Sequence, residues 1–244
     1  MNAMVHRTCK FAVVIASSLA VLATGLDDVE ASHGDDETRG MMEFSLGPYH
    51  PMVDAEFDNG PYGQFFDSRS MLYGEVQVDY HLWQRIGKLS LGVHAGYARI
   101  SGSMRDQDGE EIDADERTAF RIIPVKTSLV YRYDYSAHHH NIPLVPVAKA
   151  GLNYNFWRVV DPAGDTADVD GARGSGGRLG WHATLGLHFH LDFLDPSTAA
   201  AFEMTWGIAN SYLFAEYTWT RVGAFADGIN LGANHWSAGL AFEF

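Results

Sequence analysis

The residues of this chain best placed to do chemistry are charged side chains at alternate positions of otherwise apolar segments. Glu75 and Asp79 share one face of the stretch 70–83, Lys126 and Arg132 one face of 118–134, and Lys149 interrupts 143–157. Asp192 closes 178–193, and Glu216 stands in 203–219. Four acids and three bases gathered in one interior would form ion pairs, because a buried charge without a partner is costly. If water reached them, they would instead line a narrow polar path.

Histidines form the second constellation. His138, His139 and His140 crowd one short turn, while His182, His188 and His190 recur on one face of 178–193. His188, His190 and Asp192 together are plausible zinc or copper ligands. The plainer expectation is a solvated turn plus hydrogen-bonded interior histidines, with no metal and no cofactor. The third constellation is acidic. Asp106, Asp108, Glu110, Glu111, Asp113, Asp115 and Glu116 face only Arg105 and Arg117 across 102–117. Asp106-Gln107-Asp108-Gly109 has a faint likeness to a calcium loop but lacks its full ligand spacing, so a solvated loop is expected. Ser, His and acid residues are all present, yet none forms a nucleophile signature such as G-x-S-x-G. Phosphate-loop and dinucleotide fingerprints are missing too. No catalytic residue is expected, and the chain is read as a non-enzyme.

The elements that must position these groups follow a period of two, the strand period. Leu72, Gly74, Val76, Val78, Tyr80 and Leu82 alternate with Tyr73, Glu75, Gln77, Asp79, His81 and Trp83. Leu179, Trp181, Ala183, Leu185, Leu187, Phe189, Leu191 and Phe193 alternate with Gly180, His182, Thr184, Gly186, His188, His190 and Asp192. The same pattern predicts eight strands, at 40–50, 70–83, 88–101, 118–134, 143–157, 178–193, 203–219 and 229–244. Most exceed the usual length of soluble strands and match the ten or so residues of a tilted membrane-crossing strand. Tyr97, Tyr131, Tyr133, Tyr154, Phe156, Trp181, Tyr217, Trp219 and Trp236 lie near the ends of apolar faces, where interfacial girdles form. Links at 51–69, 102–117, 158–177 and 220–228 are long, whereas 84–87, 135–142 and 194–202 are short. This alternation predicts one end with long external loops and one with tight turns. A soluble barrel shares the period, but its apolar face would point inward. Charge on one face and none on the best apolar face favours the inverted, lipid-embedded arrangement.

Composition sets the remaining bounds. Arg7 and Lys10 precede an uncharged apolar run from Phe11 to Ala23, too short to span a bilayer comfortably. Residues 1–25 therefore read as a secretory signal cut near Gly25 or Ala31, and 26–39 as an acidic leader expected to be disordered. The one cysteine, Cys9, lies in that signal, which excludes disulfides and cysteine–metal sites from the remainder. With 17 basic and 31 acidic residues the net charge is −14, which argues against nucleic acid as a partner. Nowhere after the signal do 18 continuous apolar residues predict a membrane helix.

The strand ending at Phe244 alternates Trp236, Ala238, Leu240, Phe242 and Phe244. It resembles the C-terminal signal by which outer-membrane barrels reach their assembly machinery, carried here by Trp236, Leu240, Phe242 and Phe244. From Phe44 onward the chain also resembles a myxobacterial-type family of outer-membrane β-barrel proteins. The resemblance rests on the order and spacing of Leu46-Gly47-Pro48-Tyr49, Tyr80-His81-Leu82-Trp83, Ala95-Gly96-Tyr97, Tyr131-Arg132-Tyr133-Asp134, Pro143-Leu144-Val145-Pro146, Lys149-Ala150-Gly151-Leu152, Gly180-Trp181-His182, Leu191-Asp192-Phe193-Leu194-Asp195-Pro196, Tyr212-Leu213-Phe214-Ala215-Glu216 and Gly239-Leu240-Ala241-Phe242-Glu243-Phe244. Family members carry Asn-His where this chain has Ala209-Asn210. The resemblance implies a fold and a location and brings no established activity. The expectation is thus all-β: one monomeric, eight-stranded, antiparallel transmembrane barrel over 40–244 in the Gram-negative outer membrane. Its role would be structural or surface-binding, with membrane lipid and lipopolysaccharide as partners. A narrow solute or ion channel, or a lipid-modifying enzyme, would be the alternative.

Overall fold

The computed structural model describes residues 38–53, 69–102, 118–135, 142–161, 163–169, 172–223 and 230–244, together with Tyr62, Phe66 and Ala137. The signal segment, nearly all of the leader, the acidic residues 103–117 and His138–His140 fall outside them. Ten strands are present among the described residues: β1 Gly40–Tyr49, β2 Met71–Arg85, β3 Gly87–Gly102, β4 Thr118–Arg132, β5 Leu144–Val160, β6 Asp168–Val169, β7 Ala172–Arg173, β8 Ser175–His190, β9 Asn210–Val222 and β10 His235–Glu243. Eight of these close a barrel in the order β1-β10-β9-β8-β5-β4-β3-β2, every neighbour antiparallel, while β6 and β7 pair separately as a small ribbon. The barrel is an up-and-down meander closed by β1 against β10. Met41 lies opposite Glu243 and Leu46 opposite Ala238.

Two local devices set this closure. Between β2 and β3 the chain reverses at Ile86, with Gly87 at φ +91°, a conformation that a side chain would strain. At the seam, a Cβ on Gly239 would lie 1.8 Å from the Phe44 carbonyl oxygen, so only glycine lets β1 and β10 approach at that point. Closure leaves the barrel without exposed sheet edges, which hydrocarbon would not tolerate.

The alternation read from the sequence maps onto inside and outside as expected. Leu72, Leu91, Leu129, Leu152, Leu185 and Leu213 point outward and are exposed, whereas Gln77, His94, Lys126, Arg132, Lys149, His188 and Glu216 are buried. An apolar exterior over a polar interior inverts the soluble pattern and defines a membrane-spanning β-barrel. Aromatics collect near both ends of the belt. Tyr154, Trp181, Trp219 and Trp236 lie toward the end carrying the β1–β2 and β3–β4 links, and Tyr80, Trp83 and Tyr131 toward the opposite end.

Several boundaries differ from expectation, among them the start of the last strand, at His235 rather than 229. The seventh barrel strand begins at Asn210, not 203, because helix α1 occupies Pro196–Trp206. Alternation is a weak guide there: Ala199-Ala200-Ala201 propagates a helix well. Asp195 caps its first turn by accepting from the Ser197 and Thr198 amides, and Gly207 ends it at φ +68°. Consequently the β8–β9 link is not short, and the alternation of long and short connections fails at that point. Strand β8 also starts earlier than expected, at Ser175, and stops at His190.

Candidate functional site: the barrel interior

Eight strands leave an interior about wide enough for side chains alone. This one is filled in layers. Toward the end with the β1–β2 link lies an apolar layer including Tyr49, Met71, Tyr73, Ile122, Val222 and Leu231, joined by Tyr62 and Phe66 from that link. Toward the other end lies a second, of Met41, Val130, Val145, Val147, Tyr212, Phe214 and Ala241. The buried charges run from beside the first group into the second, where Met41 pairs across from Asp79, Ala241 from Glu43, Val130 from Lys149 and Val147 from Arg132.

The larger cluster is built from side chains of several strands. Arg132 donates from Nη2 to Glu43 Oε1 at 2.5 Å and to Asp79 Oδ2. Lys149 donates from Nζ to Glu43 Oε2 at 2.5 Å, to Gln77 Oε1 at 2.9 Å and to Glu216 Oε2 at 3.0 Å. Gln77 Nε2 in turn donates to both Asp79 oxygens, and His188 Nε2 lies 3.1 Å from Glu216 Oε1. Three carboxylates thus face two cations and one imidazole, all buried. The smaller cluster joins Lys126 Nζ to Glu75 Oε2 at 2.6 Å, with Tyr73 donating its hydroxyl to the same oxygen. His94 bridges Glu75 Oε1 at 3.2 Å and Ser128 Oγ at 2.6 Å.

A third cluster sits at the rim where β1 begins. Glu243 Oε1 accepts from Lys88 Nζ at 2.6 Å and lies 3.0 Å from His81 Nε2, whose Nδ1 is 2.7 Å from Ser90 Oγ. Its other oxygen accepts from Asn210 Nδ2 at 2.8 Å. Asn210 therefore serves this carboxylate, and its Oδ1 lies 3.1 Å from His190 Nε2.

Six of the seven charges expected inside are there, and all six are ion-paired. Asp192 is the correction. Strand β8 ends two residues before it, so Asp192 stands in the 3-10 turn Leu191–Phe193, where its carboxylate meets His190 Nε2 at 3.2 Å and accepts from the Ser211 amide. It thereby pins the turn to β9 rather than joining the network. Of the suggested zinc or copper ligands, His190 and Asp192 meet each other, whereas His188 belongs to the interior cluster. The alternation read from sequence did not single out Glu43 or Glu243. Each is the lone charge on the inner face of a strand noticed for its outer one, and that placement was the available signal.

The arrangement has definite chemical limits. Glu43, His188 and Glu216 present ligand atoms within 4.8 Å of one another, a spacing that fits a cation. The cation held by both carboxylates is the Lys149 ammonium. Ser128–His94–Glu75 and Ser90–His81–Glu243 have the connectivity of hydrolytic relays. Both serines, however, are sealed inside regular strands and face the interior, at 2% and 0% exposure. Several interior atoms lack protein partners: Arg132 Nε and Nη1, Asn153 Oδ1, both His182 nitrogens and His188 Nδ1. The four assembly-signal positions sit on the outer face of β10 or just past its end, Trp236 and Leu240 exposed and Phe242 and Phe244 half-buried. Phe242 makes an edge-on contact with Phe44 across the seam, their centroids 6.5 Å apart.

No family model and no curated protein matches the chain. Similar solved structures are the outer membrane protein OprG from Pseudomonas aeruginosa (12% identity, 86% of this chain and 98% of that one, TM-score 0.49) and Ail, the attachment invasion locus protein of Yersinia pestis, in complex with the heparin analogue sucrose octasulfate (13%, 84% and 99%, TM-score 0.44). A third is the N-terminal β-barrel domain of Pseudomonas aeruginosa OprF (11%, 85% and 100%, TM-score 0.42). At these values no residue role transfers from them, and the class assignment rests on strand pairing and the inverted exterior.

Proposed function

We propose that this protein is an integral barrel of the Gram-negative outer membrane. Its interior is a structural plug, and its work is structural or surface-binding, carried by the loops at the β1–β2 end. The observation that carries the reading is the filled interior: every charge of the main cluster is paired, apolar side chains are packed among these pairs, and an aromatic and aliphatic layer covers them toward the β1–β2 end. A continuous water column is hard to fit through such a stack. The family resemblance and the outward-facing Trp236, Leu240, Phe242 and Phe244 support the location and delivery by the barrel-assembly machinery. Outer-membrane lipid and lipopolysaccharide would be the partners of a monomer. A non-enzymatic role is supported by the burial of both Ser–His–carboxylate relays.

The second reading, a narrow ion or proton path, is favoured by one observation: the unpartnered Arg132, Asn153 and His182 atoms, which ordered water would satisfy. Conductance in planar bilayers separates the two. The plug predicts no steady current; a steady current altered by Arg132→Gln or Lys126→Gln would replace it with the channel.

A further inference from the structure

Helix α1 buries nothing. Every side chain from Pro196 to Trp206 is exposed except Ala199, which is partly so. Phe202, Met204 and Trp206 are 43, 90 and 74% exposed, and Phe193 and Leu194 in the preceding turn are similarly open. An exposed apolar group of this size marks an interaction surface rather than ordinary surface variation. The only charge on the helix is Glu203. Yet the helix is strongly specified, with an aspartate cap, proline in its first turn and a left-handed glycine stop. An isolated helix of this length is marginal in water, so such specification implies a medium or partner that covers it.

Its position says which. The helix joins β8 to β9 at the end of the barrel where β1 begins and β10 finishes. Tyr80, Trp83 and Tyr131 form the aromatic girdle of the outer surface at that same end. Outward Leu187 on β8 and Leu213 on β9 lead from the hydrocarbon belt into the turn that bears Phe193 and Leu194. The apolar surface of the helix is therefore continuous with the lipid-facing belt. We infer that α1 is an interfacial anchor: it lies along the phospholipid leaflet at the strand-turn end of the barrel, with Phe202 and Trp206, one turn apart on the same side of the helix, dipped into the headgroup–acyl boundary and Met204 on the opposite side. This rests on the reading of the barrel as membrane-embedded.

Spin labels test it in the full chain, carrying Cys9→Ser and reconstituted in phosphatidylethanolamine–phosphatidylglycerol vesicles. Labels are placed at Phe202→Cys, at Leu213→Cys in the belt, and at Ala163→Cys in an exposed loop. The inference expects the label at 202 to follow that at 213, with high collision rates with oxygen and low rates with a water-soluble nickel chelate. If 202 instead follows 163 while 213 remains in lipid, the helix is in water and the inference fails, the barrel reading surviving. If 213 is also accessible to the chelate, the membrane reading itself fails. A disulfide between two copies of the unlabelled Phe202→Cys variant, formed in high yield, would show that a second chain covers the anchoring face and would equally overturn the anchor.

Discussion

Lys149→Met gives the sharpest test of the interior as an electrostatic plug. In the native barrel one ammonium serves Glu43 and Glu216 and also donates to Gln77. Methionine fills much the same volume, so little cavity is created and the loss is chiefly charge. Glu43 keeps Arg132, but Glu216 keeps only the His188 ring. Stranding one carboxylate of a buried set typically destabilises by roughly 3–5 kcal/mol. Replacing both partners with neutral groups is far less damaging. Urea unfolding in detergent micelles at neutral pH, followed by tryptophan emission and heat-modifiable gel migration, should therefore show a large loss for Lys149→Met. Most of it should return in Lys149→Met combined with Glu216→Gln, and a double-mutant cycle reads the coupling directly. A single-mutant loss below about 1 kcal/mol, the range of solvent-exposed pairs, would refute the reasoning, since it would mean water already screens the cluster.

Other perturbations address the shell and the ends. Gly239→Val forces a side chain against the Phe44 carbonyl and should abolish heat-modifiable migration; a folded variant with native mobility would contradict the close approach. Leu152→Arg places a cation on the outer face midway along β5 and should destabilise by roughly 2–4 kcal/mol in lipid, read by the same unfolding curves, whereas a soluble barrel would tolerate it. Hydrogen bonds from the Ser197 and Thr198 hydroxyls and amides hold the Asp195 carboxyl down at about 2. Because this folded value lies below the ordinary one, the cap supports α1 at neutral pH and is lost only as pH falls through about 2. Hydrogen exchange of the 196–206 amides should accordingly stay protected at pH ~4, and Asp195→Ala should speed it with barrel amides unchanged. Deleting Phe244 should impair delivery to the membrane in cells; full insertion without it would remove the assembly-signal assignment.

How much of this could be read in the residues follows from what alternation encodes. A long strand with water-like filling on one side and lipid on the other writes its period twice, so β2, β4, β5 and β8 are legible on both faces. In β1 and β10 the outward aliphatics and aromatics dominate, and Glu43 and Glu243 pass as isolated charges. Their importance comes from register, which sets Glu43 beside Gln77 across one seam and Ala241 across the other. No local pattern carries that information. Helix α1 was hidden for the opposite reason. Its apolar residues follow neither a clean strand period nor one helical face, because it has no protein core to point toward. Only its capping residues distinguish it, and they speak about ends rather than about what lies between.

The pairing of β1 with β10 has a consequence in time. The first and last barrel strands are the pair farthest apart in sequence, and the Arg39 and Gly40 amides both donate to the Phe244 carbonyl, at 2.7 and 3.0 Å. Contacts so distant form late, after the loop entropy of the intervening chain has been overcome. Seven strands without the eighth would present two bare edges, and hydrocarbon offers nothing to pair them. No half-built barrel can therefore wait in the bilayer. The nascent chain must be held open in an aqueous or guarded setting until β10 arrives, and the step that zips it to β1 is the same step that commits the protein to lipid.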